Sequence, residues 1–173
     1  MKNRKWLLLL IIICTAGVPM SCKKDRLTKA TQTGENTFSC KVDGATYIAQ
    51  IQGISLSGAE PILVGNTRSG GFLIHTIDAR SGASFSKVMS IQLPYLMSTG
   101  TYPLNQSAIV AIYALNYTPG PHYQTDVTHT GSVNITRCDT TSHIYAGHFS
   151  FTAFDHNTGK IVKVTDGRFD VKQ

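Results

Sequence analysis

Alternation of apolar and polar positions with a period of two dominates this chain. In His143–Phe154, Phe149, Phe151 and Ala153 fall on one face and His148, Ser150 and Thr152 on the other. Arg168–Lys172 repeats the pattern, with Phe169 and Val171 on one side and Arg168, Asp170 and Lys172 on the other. Successive side chains of a strand point to opposite faces, so these stretches predict antiparallel sheet with one buried face. Phe38–Val42, Ala45–Ile51, Ile62–Gly65, Phe72–Asp78, Lys87–Leu93, Thr101–Leu104, His122–Asp126, Ser132–Thr136 and Lys160–Thr165 are further short runs bounded by turn residues. Ala108–Leu115 is apolar on both faces and predicts a central strand. Asp43-Gly44, Asp166-Gly167 and the stretch Asp155–Gly159 are expected to turn the chain between neighbouring strands. With no sustained helical period, roughly nine or ten strands predict an all-β fold, an antiparallel β-sandwich or a flattened barrel. Residues 36–173 form one such β-domain, long enough to bury about two thirds of the unfolded surface.

The first 35 residues follow another pattern. Lys2, Arg4 and Lys5 precede the apolar run Leu7–Ala16, which is broken only by Thr15; Gly17-Val18-Pro19-Met20-Ser21 then leads into Cys22. Charge, greasy segment and small residue in that order read as a secretory signal over residues 1–21, removed on maturation. The run is about half the roughly 20 residues a bilayer core requires, which argues against a permanent transmembrane helix. Ser21 supplies the small side chain that a lipoprotein signal peptidase needs before the lipidated cysteine, whereas Ile13 before Cys14 does not. Cys22 is therefore the expected lipidation site, and several acyl chains make an anchor stable. The competing reading is an ordinary secreted chain cut near Ser21, with Cys22 left as a thiol. Residues 22–35 are polar, free of aromatics and without period, and are expected to form a flexible lipidated tether. Its basic residues either rest on anionic headgroups or are simply solvated.

Charge narrows the partners. The whole chain carries a formal +6, but seven of its sixteen Lys and Arg precede residue 35 against one acid, Asp25. Residues 35–173 keep nine of each sign, so the folded part offers no basic face for nucleic acid. Cys40 and Cys138 are the two cysteines of that part, and in an exported chain a single remaining pair is most simply read as one disulfide, with two buried thiols as the alternative.

Chemistry is sparse. There is no Gly-x-Ser-x-Gly, no His-x-His and no His-Glu-x-x-His; the six histidines are scattered, and the acids sit mostly in turns. The expectation is no catalytic residue, no metal and no cofactor. The one stretch suited to binding holds Tyr113, Tyr117, Pro119-Gly120-Pro121, His122 and Tyr123. Tyrosine offers rigid amphipathic contact area and proline lowers the ordering cost of a loop. Tyr113, Tyr117, His122 and Tyr123 are thus candidate ligand contacts, set against the reading in which these tyrosines merely cover a sheet edge.

Three stretches carry a resemblance. Phe38-Ser-Cys-Lys-Val-Asp-Gly-Ala-Thr-Tyr47, Gly131-Ser-Val-Asn-Ile-Thr136 with Asp139-Thr140, and Gly147–Asp155 followed by Gly159–Val171 resemble the opening, middle and closing strands of an uncharacterised Bacteroidetes lipoprotein family. That resemblance implies an all-β fold and an envelope address, and it supplies no catalytic residue. Surface display in that lineage goes with acids soon after the lipid cysteine; Lys23-Lys24-Asp25-Arg26 has one, which leaves the periplasmic and surface faces open. Asp139-Thr140-Thr141 is similar to the lineage's O-glycan acceptor tripeptide, but three residues match by chance often and a plain turn is the preferred reading. Taken together, the expectation is a lipoprotein held in the cell envelope, most simply the outer membrane, through Cys22. Its β-domain either binds a ligand (glycan, peptide or small apolar molecule) or serves as an accessory subunit or adhesin on another envelope protein.

Overall fold

The computed structural model describes residues 26–53, 58–67, 70–81, 86–95, 98–105, 110–115 and 120–173. Twelve strands occur among them: β1 (Thr37–Val42), β2 (Ala45–Ile48), β3 (Gln50–Gln52), β4 (Ile62–Asn66), β5 (Phe72–Arg80), β6 (Lys87–Leu93), β7 (Gly100–Pro103), β8 (Val110–Leu115), β9 (His122–Gln124), β10 (Gly131–Asp139), β11 (Ile144–Asp155) and β12 (Lys160–Lys172). There is no helix among the described residues.

The strands form one sheet in the order β2-β1-β12-β11-β9-β8-β6-β5-β3. β10 pairs with β11 and carries β7, while β4 pairs with β5. Every pairing is antiparallel except β3 with β5. The two ends of this path, β2 and β3, are consecutive in the chain and separated only by Ala49, so the sheet curls until it nearly closes. Of the two arrangements the alternation allowed, this is the barrel-like one. Closure removes the open edges that an isolated sheet exposes.

Side chains fill the interior. Phe38, Phe149 and Phe169 lie together, with Phe38 stacked on Phe149 at 4.9 Å and Phe149 at 6.4 Å from Phe169. Tyr47, Ile74, Met89, Ile91, Leu93, Val133, Val164 and Val171 are fully enclosed with them. β8 lies between β6 and β9, as its apolar character predicted. The Asp43-Gly44 turn also forms as expected: both residues have positive φ, 48° and 81°, which a primed hairpin turn requires.

Two expectations fail. Asp166-Gly167 does not turn the chain; β12 runs through it as one long strand, with a bulge opposite Ser150. Only Asp166 has positive φ (55°), so the paired left-handed geometry of a primed turn is missing. The glycine answers a different need, since a Cβ there would lie 2.5 Å from the Phe149 ring. The tether differs as well. Its described part, residues 26–35, is bonded to the barrel wall. The Asp170 carboxylate accepts hydrogen bonds from Thr31 Oγ1 (2.7 Å) and from the backbone N–H groups of Thr33 (2.9 Å), Gly34 (2.7 Å) and Glu35 (3.3 Å). Thr28 N donates to Ser39 Oγ at 3.0 Å, and Arg168 Nη1 donates to the Thr28 carbonyl at 3.2 Å. Gln32 bonds Thr136 and accepts from Arg137, which reaches β10. Polar composition alone suggested a solvated linker, but one buried carboxylate gathers several of its donors into a strap.

Candidate functional site

One end of the barrel carries a cavity of about 190 Å³, lined by Val42, Asp43, Ala45, Thr46, Tyr47, Lys87, Tyr113, Leu115, Tyr123 and Val162. The β1–β2 turn, the start of β6, the end of β8, β9 and the start of β12 meet there. Tyr113 and Tyr123 are register partners on β8 and β9, so both point to the same face and their rings stack at 6.0 Å and 29°. Tyr47 reaches the floor of the cavity from β2, and its hydroxyl is 2.8 Å from Thr76 Oγ1. Thr76 gives its single proton to the Met89 carbonyl at 3.0 Å, so Tyr47 is the donor in that pair.

Electrostatics keep these phenols neutral. Burial pushes Tyr113 up to about 12, helped by Cys40, Tyr123 and the acids Asp43 and Asp78. Tyr47 and Tyr123 are also raised, each chiefly by burial. At neutral pH the cavity therefore offers aromatic faces and hydroxyl groups, with Asp43 and Lys87 supplying charge in its lining. Such a lining suits stacking and hydrogen bonding. At this volume the cavity takes one ring or one side chain, since drug-sized ligands occupy roughly 300–1,000 Å³.

The sequence-predicted residues divide. Tyr113 and Tyr123 come together. His122 precedes Tyr123 on β9, so it points to the opposite face and is exposed. Tyr117 and Cys22 lie outside the described residues. Cys40 and Cys138 are free thiols, so the expected disulfide is not formed. Cys40 points into the interior, its Sγ 3.8 Å from Met89 Sδ, and burial raises its pKa. Cys138 sits on β10, with β11 and β12 between it and β1. Three strand spacings amount to about 14 Å along the sheet, about twice the roughly 7 Å limit for bridged Cα atoms. Tyr47, Lys87 and Val162 were missed as cavity residues. Each reads locally as an ordinary strand position, and only long-range pairing brings them to one end of the barrel.

A second concavity, an open groove of about 370 Å³, runs along the outer wall. Asn134, His148 and Arg168 form a row across β10, β11 and β12, flanked by Ser132, Ser150 and Asp166. The Asp139 carboxylate accepts from the N–H groups of Thr141 and Ser142 and from Arg137, which holds its pKa at about 2 and makes Asp139-Thr140-Thr141 a capped turn. Elsewhere, Asp126 is lowered to about 2 by His129, whose N–H and ring both reach its carboxylate, and by Thr128 N–H; the His129 ring stacks on Phe154 at 4.8 Å. His75 is half-buried, bonded through Nδ1 to Ser90 Oγ at 2.7 Å, and lowered by burial. Among the described residues, no three His, Cys, Asp or Glu side chains gather as a metal site.

Residues 35–171 match the family described as a domain of unknown function, DUF6252, and the chain belongs to that family. No curated protein matches the chain, and no solved structure does.

Proposed function

We propose that this member of the DUF6252 family is an envelope-anchored lipoprotein of the Bacteroidetes type. In this reading Cys22 carries the lipid and the β-domain binds a small ligand at the barrel mouth without catalysing a reaction. The observation that carries it is the mouth cavity, where Tyr113 and Tyr123 stack over an otherwise filled interior. Its size favours one sugar ring of a glycan or one side chain of a peptide. Neutral, buried phenols bind such groups well and make poor bases, which supports a binding role over catalysis. The test is a thermal-shift panel of monosaccharides, short glycans and peptides on the Cys22→Ala chain. A stabilising ligand whose effect disappears in Tyr113→Ala or Tyr123→Ala supports the reading. Silence across the panel rejects it. For the anchor, mass spectrometry of the native N-terminus should show a chain that starts at a lipidated Cys22, and an unmodified start or an intact leader would count against lipidation.

A second reading, an accessory subunit or adhesin, has one observation in its favour. Ile161 is 55 % exposed beside its register partner Phe154, and Val127, two residues before the His129 that stacks on Phe154, is 83 % exposed. Clustered exposed apolar residues mark interaction surfaces. Cross-linking in native membranes should then capture one reproducible partner through this patch; recovery of monomer alone would argue against it.

A further inference from the structure

We infer that the strap fixes which side of the barrel faces the bilayer: the outer wall of β1, β12 and β11 lies against the lipid surface, and the wall of β5 and β6 faces away. This deepens the anchor proposal and rests on Cys22 being lipidated. Two outward-facing residues show how firmly the strap is held. Ser39 on β1 is 0 % exposed and Asp170 on β12 is 1 % exposed, although alternation turns both away from the interior. Thr28 bonds the first, and Thr31, Thr33, Gly34 and Glu35 bond the second. Gly34 fits this course for two reasons. Its φ is +80°, and a Cβ there would crowd Ile144 and Lys172 at 3.2 and 3.3 Å.

Pinning at Thr28 shortens the leash. From Cys22 to Thr28 there are six residue steps, which span at most about 20 Å when fully extended. A free tether running to Asn36 would span about 50 Å. A body of about 140 residues has a radius of gyration near 14 Å and is roughly 35 Å across. A leash of about 20 Å leaving the β1–β12 wall therefore cannot let the opposite wall touch the membrane, whereas the unpinned one can. The pinned face also exposes the basic side chains of Arg26 and Lys29 on the strap and Lys163 on the wall, while Lys41 beside them is paired with Asp166 at 3.1 Å. Positive charge next to the anchor favours an anionic lipid surface. Gln92, half-buried on β6 between the inward-facing Ile91 and Leu93, marks the far wall, because across the interior Cys40 of β1 meets Met89 of β6 and Phe72 of β5 meets Tyr145 of β11 at 4.6 Å.

The test uses the full-length lipoprotein purified from membranes and reconstituted into phosphatidylethanolamine–phosphatidylglycerol vesicles. A fluorescent thiol probe is placed at His148→Cys or at Gln92→Cys, each with Cys138→Ser, and quenched by nitroxide-labelled lipid. Quenching at position 148 should exceed that at 92 several-fold. Asp170→Ala should free the strap and raise quenching at 92. Thr28→Pro, which leaves the barrel wall untouched, should shift it the same way to a smaller degree. Equal quenching at both positions in the otherwise unaltered protein overturns the inference. An unmodified N-terminal mass, or failure to sediment with the vesicles, shows instead that the anchor reading is wrong and the inference falls with it.

Discussion

Asp170 sits on the outward side of a strand, where a carboxylate ordinarily meets water, yet the strap buries it almost completely. Burial alone would raise its pKa, but Thr31 Oγ1 and three backbone N–H groups outweigh that and hold it below the usual carboxylate range. Because the folded-state value lies below the unfolded value of about 3.9, its stabilisation is complete above that pH and is lost as pH falls through the lowered pKa. Asp126 and Asp139, each held at about 2, act in the same direction. Urea midpoints should therefore drop steeply between about pH 4 and pH 2, and Asp170→Asn should flatten that slope. Asp170→Ala at neutral pH leaves the strap donors without their acceptor and should cost about 1–3 kcal/mol. Rapid tryptic cleavage after Lys29 would report the lifted strap, and a strap that stays protected would contradict this account. Gly167 makes a complementary case. An added methyl meets Phe149 at 2.5 Å, so Gly167→Ala should cost about 1–3 kcal/mol by overpacking. Alternation correctly put Asp170 on the outer face. It carried no sign of the cover, because a strap bound through backbone N–H groups has the same polar composition as a solvated linker.

Most strands were legible because a barrel wall buries one face, and the resulting period of two is written directly into β11 and β12. What was not legible was continuity. Asp-Gly reads as a turn at both positions 43 and 166, yet the chain reverses only where both residues take positive φ. At the second position Phe149 packs over the glycine and the strand bends through a bulge instead. Pairing across strands was equally hidden, and it decides the fate of the thiols. Cys40 lies on β1 and Cys138 on β10, with two strands between them, so neither can reach the other without dismantling the sheet. Intact mass measured after denaturation and alkylation without reductant should show both cysteines labelled. Native protein should label Cys138 first, since Cys40 is fully enclosed and its thiol is raised by burial. A denatured, unreduced domain that takes up no label would restore the disulfide.

Closure of the whole molecule depends on partners from opposite ends of the chain. β1 pairs with β12 through Phe38 opposite Phe169 and Val42 opposite Val164, and β12 pairs with β11 on its other side. The same long-range pairing assembles the mouth, which is why the sequence pointed to Tyr113 and Tyr123, close together in the chain, but not to Tyr47, Lys87 or Val162. It also makes the last strand indispensable. Val162, Val164, Phe169 and Val171 are all buried in the interior. At about 1.5–3 kcal/mol for each such side chain, their removal forfeits about 6–12 kcal/mol, comparable to the whole net stability of about 5–15 kcal/mol typical of a domain. A chain ending at Gly159 should therefore lose its cooperative unfolding transition altogether rather than melt a few degrees earlier. Far-UV circular dichroism with a urea titration distinguishes the two outcomes, and a sigmoidal transition in the truncated chain would show that the remaining strands close without β12. Pairing between distant segments also makes folding slow, so the intact chain should refold in milliseconds to seconds. Gly167→Ala should chiefly accelerate unfolding if the bulge packs late, and chiefly slow refolding if the β11–β12 hairpin forms the nucleus.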